Sequence, residues 1–317
     1  LMIRTLHITN FKSIRELKLS CRRVNVFIGK PNTGKSNLLE ALGMFSLPYS
    51  GNPRSLLRFE TMVDLFRDAD VSKGILVEAG EEFWKMEAEG EVFRCDSSSF
   101  TFSCHYSSPS PGDVTVIKRQ PPIKFYRHPI PAFSSSEPGF LRPPDGRNLV
   151  TVLRSNRELA RVVSGMLEEF NLKLVLKPYE NKIELQRETD GVIISHPYIT
   201  LSETLRRLIF YLAAIKTNSD SVLIFEEPEA QAFPFYTKYL AELIAGDTSN
   251  QYFISTHNPY MLLSLVEKTP KKEIKVFITR LEDHETIADA VPERKLSEIL
   301  DLDAGVFFNL ESLGGGR

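Results

Sequence analysis

Cysteine is scarce in this sequence: Cys21, Cys95 and Cys104 are the three in 317 residues. They form no CxxC pair and leave an odd one, which argues against a disulfide framework. Cys95, Cys104 and His105 lack a fourth zinc ligand at regular spacing, so free structural thiols are expected. Long hydrophobic runs are missing as well. The longest wholly apolar stretch, Leu208 to Ile215, falls far short of the ~20 residues that a spanning helix requires, and no leader pattern precedes the first strand. The expectation is a cytosolic chain with no membrane partner. Charge of one sign is not in excess either: the formal net charge is −2, so no global positive field holds nucleic acid and any such contact needs a local patch. No heptad pattern runs for three or more repeats, which excludes a long coiled coil, and there is no internal repeat. Apolar residues at 42% and charged residues at 25% give an ordinary globular balance.

What is present reads as α/β. The start alternates like strands, with Ile3, Leu6 and Ile8, then Ile14, Leu17 and Leu19, then the compact run Val24 to Ile28. Ser36 to Phe45 carries Leu38, Leu39, Leu42 and Phe45 on one helical face. From Ile75 to Arg127 the pattern is β, an antiparallel meander. Ser107 to Gly112 and Pro129 to Gly146 are rich in Pro, Ser and Gly and read as loops. A helix is expected over Asn148 to Phe170, then short strands near 172–176, 183–185 and 192–194. The last third alternates helix and apolar strand: helices near 203–216 and 235–245, strands near 222–225, 252–255 and 274–278.

Gly29-Lys30-Pro31-Asn32-Thr33-Gly34-Lys35-Ser36 fits G-x-x-x-x-G-K-[ST] between an apolar strand and an amphipathic helix. The glycines let backbone N–H groups turn toward phosphates at the positive end of a helix. Lys35 offers a charge to the β- and γ-phosphates, and Ser36 a hydroxyl ligand to Mg²⁺. A glycine turn that merely caps the helix is the plain alternative. The continuous apolar run Val222 to Phe225 suits a strand covered on both faces, with Glu226 and Glu227 just past its carboxyl end, where α/β sheets bind ligands. Glu226 would orient Mg²⁺, and Glu227 would polarise the water that attacks the γ-phosphate. His257 ends the neighbouring strand Tyr252 to Ile254 and suits a γ-phosphate-sensing role.

Phe11-Lys12-Ser13-Ile14, the phosphate loop, Leu223 to Glu229 (LIFEEPE) and Ile254 to Pro259 (ISTHNP) together resemble the ABC-type ATPases of the RecF/SMC/Rad50 and OLD class, in a compact form without long coiled coil or Toprim domain. The resemblance implies a P-loop NTPase head with an N-terminal β-rich subdomain and an inserted mixed β/α lobe, divided as 1–47, 48–196 and 197–317. It also implies ATP held between two heads of a homodimer. The ATP-binding set it points to is Lys12, Ser13, Gly29, Asn32, Thr33, Gly34, Lys35, Ser36 and Asn37, with Ser202 of Thr200 to Leu205 acting in trans. Plain helix capping, with Thr200 and Glu203 as T-x-x-E, is the other reading of that segment. The sequence departs from the family in the glycine pair of the signature, in Glu226 for aspartate, in Phe233, and in a Q-loop whose one candidate is Gln120. These departures imply slow turnover.

The leading expectation is therefore a dimeric, Mg²⁺-dependent ATPase that signals to DNA or a protein partner. A transporter's nucleotide-binding subunit and a non-hydrolysing ATP switch are the competitors. Lys118, Arg119, Lys124 and Arg127, with Phe125 and Tyr126 between them, are a candidate basic stacking face for DNA; the solvated side of a strand is the blander alternative.

Overall fold

The computed structural model describes residues 2–106, 114–118, 120–130, 132–134 and 139–313. The chain opens with the hairpin β1 (Thr5–Phe11) and β2 (Ile14–Ser20), then β3 (Val24–Gly29), α1 (Lys35–Gly43) and the single turn α2 (Leu47–Ser50). A meander follows: β4 (Ile75–Ala79), β5 (Glu82–Glu89), β6 (Val92–Ser97), β7 (Phe100–His105) and β8 (Thr115–Val116). After β9 (Ile123–Tyr126) come α3 (Leu149–Ser155), α4 (Arg157–Glu168), β10 (Lys173–Lys177), β11 (Lys182–Thr189) and β12 (Val192–Pro197). The last third holds α5 (Glu203–Thr217), β13 (Val222–Glu226), α6 (Pro234–Gly246), β14 (Gln251–Ser255), α7 (Pro259–Lys268), β15 (Ile274–Glu282), β16 (Glu285–Ala290), α8 (Leu296–Leu302) and α9 (Leu310–Leu313).

The central sheet has the order β16-β15-β3-β14-β13-β9, parallel throughout except for the antiparallel β16. Strands β3 and β14 are buried along their whole length, as strands covered on both faces must be. On one face Phe27 lies flat between Phe277 and Phe253, with ring centroids 5.0 and 6.4 Å away. That face joins Leu38, Leu39 and Leu42 of α1 in one core. The opposite residues Val26, Ile28, Leu223, Phe225 and Ile254 share a second core with α5, α6 and α7. Period-two alternation thus divides each strand between two cores.

A second sheet, β2-β1-β4-β5-β6-β7-β8, curls over α1. Trp84 fastens it there: the indole Nε1 donates to Ala41 O at 2.8 Å, and Phe11 packs edge-on at 5.8 Å. Cys95 and Cys104 face inward on this sheet, and burial pushes both thiols up. The third sheet is β10-β11-β12.

Three expectations change. Residues 48–196 do not form one lobe: 75–116 extend the sheet begun by β1 and β2, 123–126 enter the central sheet, and 149–197 supply two helices and a separate three-stranded sheet whose buried residues join the core shared with α5. The helix expected over 148–170 is two, because Asn156 leaves helical geometry and its side chain accepts from Leu159 N at 2.9 Å, capping α4. The stacking face is not a surface. Lys124 is 6% exposed, its Nζ donating to Asn218 Oδ1 at 2.5 Å and Ser221 Oγ at 3.1 Å, and Phe125 and Tyr126 are fully buried. β9 is roofed on both sides because it is the parallel neighbour of β13, which neither the strand nor the solvated-face reading foresaw. Arg119 and the loop Ser107 to Gly112 lie outside the described residues, as do parts of Pro129 to Gly146.

Lys124→Glu is therefore expected to act on folding: an uncompensated carboxylate beside Asn218 Oδ1 should cost at least about 3 kcal/mol. Chemical denaturation of the two proteins checks this. A variant with wild-type stability would contradict the buried placement.

Candidate active site

The phosphate loop leaves β3 at Gly29 (φ +152°) and enters α1 at Gly34 (φ +88°). Both glycines face threonines of the β15–β16 hairpin. A Cβ on Gly29 would lie 2.4 Å from Thr279 O and Oγ1, and one on Gly34 would lie 1.9 Å from Thr286 Oγ1. The glycines thus serve backbone geometry and close approach together. Thr33 Oγ1 donates to Lys30 O at 2.8 Å and lies 2.7 Å from Thr279 Oγ1. Asn32 is exposed at the loop's tip, with φ +63°. Thr279 and Thr286 escape any sequence pattern, since nothing local marks a threonine that packs against a loop some 250 residues earlier.

Lys35 folds back over the loop, its Nζ donating to Gly29 O at 2.9 Å and Lys30 O at 2.8 Å. Burial pushes its pKa down to about 8 against the opposing pull of Glu227. Ser36 follows at the start of α1. Asn37 Nδ2 donates to Ser13 Oγ at 2.8 Å, and Ser13 Oγ lies 2.6 Å from Thr286 Oγ1, so the β1–β2 turn reaches the helix that carries the loop. Lys12 behaves differently. At φ +49° it directs its ammonium to the buried Glu40 carboxylate and to Arg58 O at 2.6 Å.

At the carboxyl edge of the sheet, Glu227 adopts φ +43° while its N–H donates to Ser255 O at 3.0 Å. A non-glycine residue in this region is strained and is held by its surroundings. Its carboxylate lies 3.3 Å from His257 Nε2. Burial lowers the His257 pKa, and the Lys35 charge lowers it further. Lys35, Glu227 and His257 therefore meet at one edge. Glu226 accepts from Arg127 Nη2 at 3.1 Å, because the parallel register sets Phe225 opposite Tyr126 and brings the next residues together. Arg127, which the sequence offers as a candidate DNA-face cation or a solvated strand residue, thus lies against Glu226. Gln120 precedes β9, at the end of that strand away from Glu226, which removes it as a Q-loop candidate.

Ser202 is exposed and is itself the cap of α5, accepting from Leu205 N at 3.3 Å. Thr200, the capping residue of the alternative reading, instead donates to Pro197 O at 2.7 Å and lies two residues before the Ser202 cap. Behind the edge, Glu229 is buried and accepts from Thr256 Oγ1, while its Oε2 has no hydrogen-bond partner among the described residues. Phe233, four residues further on, is exposed. The Ser36 hydroxyl and Glu226 carboxylate are hard oxygen donors of the kind Mg²⁺ takes, few in number because phosphates and water complete its shell.

Residues 2–91 match the AAA ATPase domain family. A stretch of 94 residues is 36% identical to an uncharacterized protein of Methanocaldococcus jannaschii, over 29% of this chain and 40% of that protein. The chain thus spans well under half of the length of that relative. The fold is similar to an SMC head solved with the C-winged helix domain of ScpA, at TM-score 0.54 and 13% identity over 93% of this chain and 99% of that one. It is also similar to the Pyrococcus furiosus SMC head with an extended coiled coil bound to the C-terminal domain of ScpA, at TM-score 0.51 and 12% identity over 95% and 98%. The chain thus shares the fold of these SMC head domains.

Burial pushes the Glu229 pKa up from 4.5 to about 7. A raised carboxyl pKa contributes stability that is full below the unfolded value and is lost as pH rises through the folded one. Glu229→Gln keeps an acceptor for Thr256 and removes the cost of ionisation. It should be more stable than wild type by about 1–3 kcal/mol at pH 8 and no better at pH 4.5, read from denaturation midpoints at both pH values. An equal effect at the two would contradict a buried, titrating Glu229.

Proposed function

We propose that this protein binds Mg-ATP and hydrolyses it to ADP and phosphate. The observation that carries this reading is the meeting of Lys35, Glu227 and His257 at the carboxyl edge of one parallel sheet. An incoming triphosphate offers the Lys35 ammonium stronger acceptors than the carbonyls of Gly29 and Lys30, and its negative charge keeps that ammonium protonated at neutral pH. Backbone N–H groups at the start of α1 take the remaining phosphate oxygens. Glu227 holds the attacking water and receives its proton, the role a carboxylate fulfils at this position. His257, whose Nε2 lies 3.3 Å from that carboxylate, orients it before nucleotide enters and then turns the same N–H toward the γ-phosphate. When bound, Mg²⁺ supplies charge neutralisation of the β- and γ-phosphates, held by Ser36 and Glu226.

Ser202 stands exposed at the start of α5, where a two-fold partner's nucleotide is its natural target. We take the working unit to be a homodimer in which each site combines Lys35 of one chain with Ser202 of the other. A protein partner is preferred to DNA as the receiver of the signal, because Lys124, Phe125 and Tyr126 are buried and because the SMC heads of similar fold are seen with ScpA domains. A transporter subunit is not favoured, and the ATP-rich cytosol is the setting that this reading implies. Among the described residues no helix is long and apolar enough to cross a membrane.

Lys35→Ala should lose ATP binding. Glu227→Gln should keep it and lose roughly 10²–10⁴-fold in hydrolysis, the range for removing a positioned general base. Phosphate release and nucleotide binding measured on both variants decide the matter, and near-wild-type turnover by Glu227→Gln would remove Glu227 from the mechanism.

The dimer has its own test. Lys35→Ala and Ser202→Arg proteins should each be inactive, yet mixing them should restore about a quarter of wild-type turnover, since half of randomly exchanged dimers are mixed and each of these has one intact site. No recovery after demonstrated exchange would count against completion of the site in trans.

A further inference from the structure

Five charged side chains form a connected cluster beside the phosphate loop. Glu40 of α1 is fully buried, and three cations converge on it: Lys12, Arg58 through Nε at 2.6 Å, and Arg127 through Nη2 at 3.7 Å. Arg127 also holds Glu226 at 3.1 Å. Three positive charges against two carboxylates leave the cluster one positive charge in excess. Lys12 and Arg58 already occupy both oxygens of Glu40, Oε2 and Oε1 respectively, so Glu226 is the strong partner of Arg127.

We propose that Arg127 competes with the divalent metal for Glu226 and so sets how much Mg²⁺ the nucleotide site demands. This rests on the ATPase reading, in which Glu226 is the metal carboxylate. The guanidinium and a divalent ion on one carboxylate repel each other across a few ångströms, in a partly buried setting where screening is weak. The metal therefore has to displace or loosen the ion pair. The base of Arg127 is fixed and its head is partly open to solvent: its backbone N–H donates to Pro144 O at 2.7 Å, its guanidinium lies 4.9 Å from the Phe125 ring centroid, and 29% of the side chain is exposed. Glu40 cannot fully absorb the released charge. Arg127 acts here through Glu226 and is a positioning residue.

The test is the Mg²⁺ dependence of binding of a fluorescent, non-hydrolysable ATP analogue, with nucleotide fixed and Mg²⁺ varied, on wild type, Arg127→Ala and Arg127→Gln. Thermal melting confirms folding, and the glutamine variant keeps an amide within reach of Glu226 should alanine disturb the packing. Both variants should reach half-saturation at about two- to five-fold lower Mg²⁺, the equivalent of losing one partly exposed ion pair. Arg127→Lys should stay near wild type. A purely structural role gives the opposite sign, with weaker binding at every Mg²⁺ concentration and a higher demand. Unchanged or raised half-saturation in folded variants overturns the proposal while leaving the ATPase reading standing. A wild-type protein that binds no nucleotide at any Mg²⁺ concentration overturns both.

Discussion

Parallel pairing of β14 with β3 on one side and β13 on the other is the constraint from which the site follows. Tyr252 to Ser255 lie in register with Val24 to Phe27, and Val222 to Glu226 with Gln251 to Ser255. The carboxyl ends of three strands therefore finish at one edge, and the residues that follow them, the phosphate loop, Glu227 and His257, have nowhere else to go. A slip of one residue in any pair would also exchange the two buried faces of that strand, moving Phe27 or Ile254 into the wrong core. The hydrophobic cores thus enforce the register, and the register places the chemistry.

The edge is a place where charge is concentrated under partial burial. Lys35 has its proton loosened by desolvation, His257 is pushed toward neutrality, and Glu229 toward its protonated form. Glu227 is held in a backbone conformation that glycine would adopt more easily. Each of these costs stability. The Glu40 cluster has the same character: a carboxylate without exposure is tolerable only because Lys12, Arg58 and Arg127 surround it.

Two contacts far apart in sequence hold the loop itself. The threonines of the β15–β16 hairpin fill the space that the missing glycine side chains leave, and Ser13 links the hairpin to α1 through Asn37. On the other side, Trp84 bonds the meander to Ala41. The helix that begins with Lys35 is thereby fixed by both sheets, and the loop's glycines serve packing as much as phosphate approach.

Much of this was legible in the sequence because it is written in local chemistry. The spacing of Gly29, Gly34, Lys35 and Ser36, the apolar run before Glu226 and Glu227, and the position of His257 after its strand each follow from what a phosphate loop and a covered parallel strand require within a few residues. The alternation of helix and strand in the last third is equally local, and the α/β class follows from it. What needed tertiary structure was every relation between distant segments. Lys124, Phe125 and Tyr126 read as an exposed basic strand because nothing nearby shows that β13 would pair beside them and helices roof both faces. Residues 48–196 read as one lobe because strand order is not encoded in strand order along the chain. Arg127 could not be joined to Glu226, nor Thr286 to Gly34, until pairing and packing closed separations of 99 residues in the one case and of a loop and a hairpin at opposite ends of the chain in the other. Side-chain type and spacing decide the chemistry available, and the burial and register that only folding creates decide which groups meet.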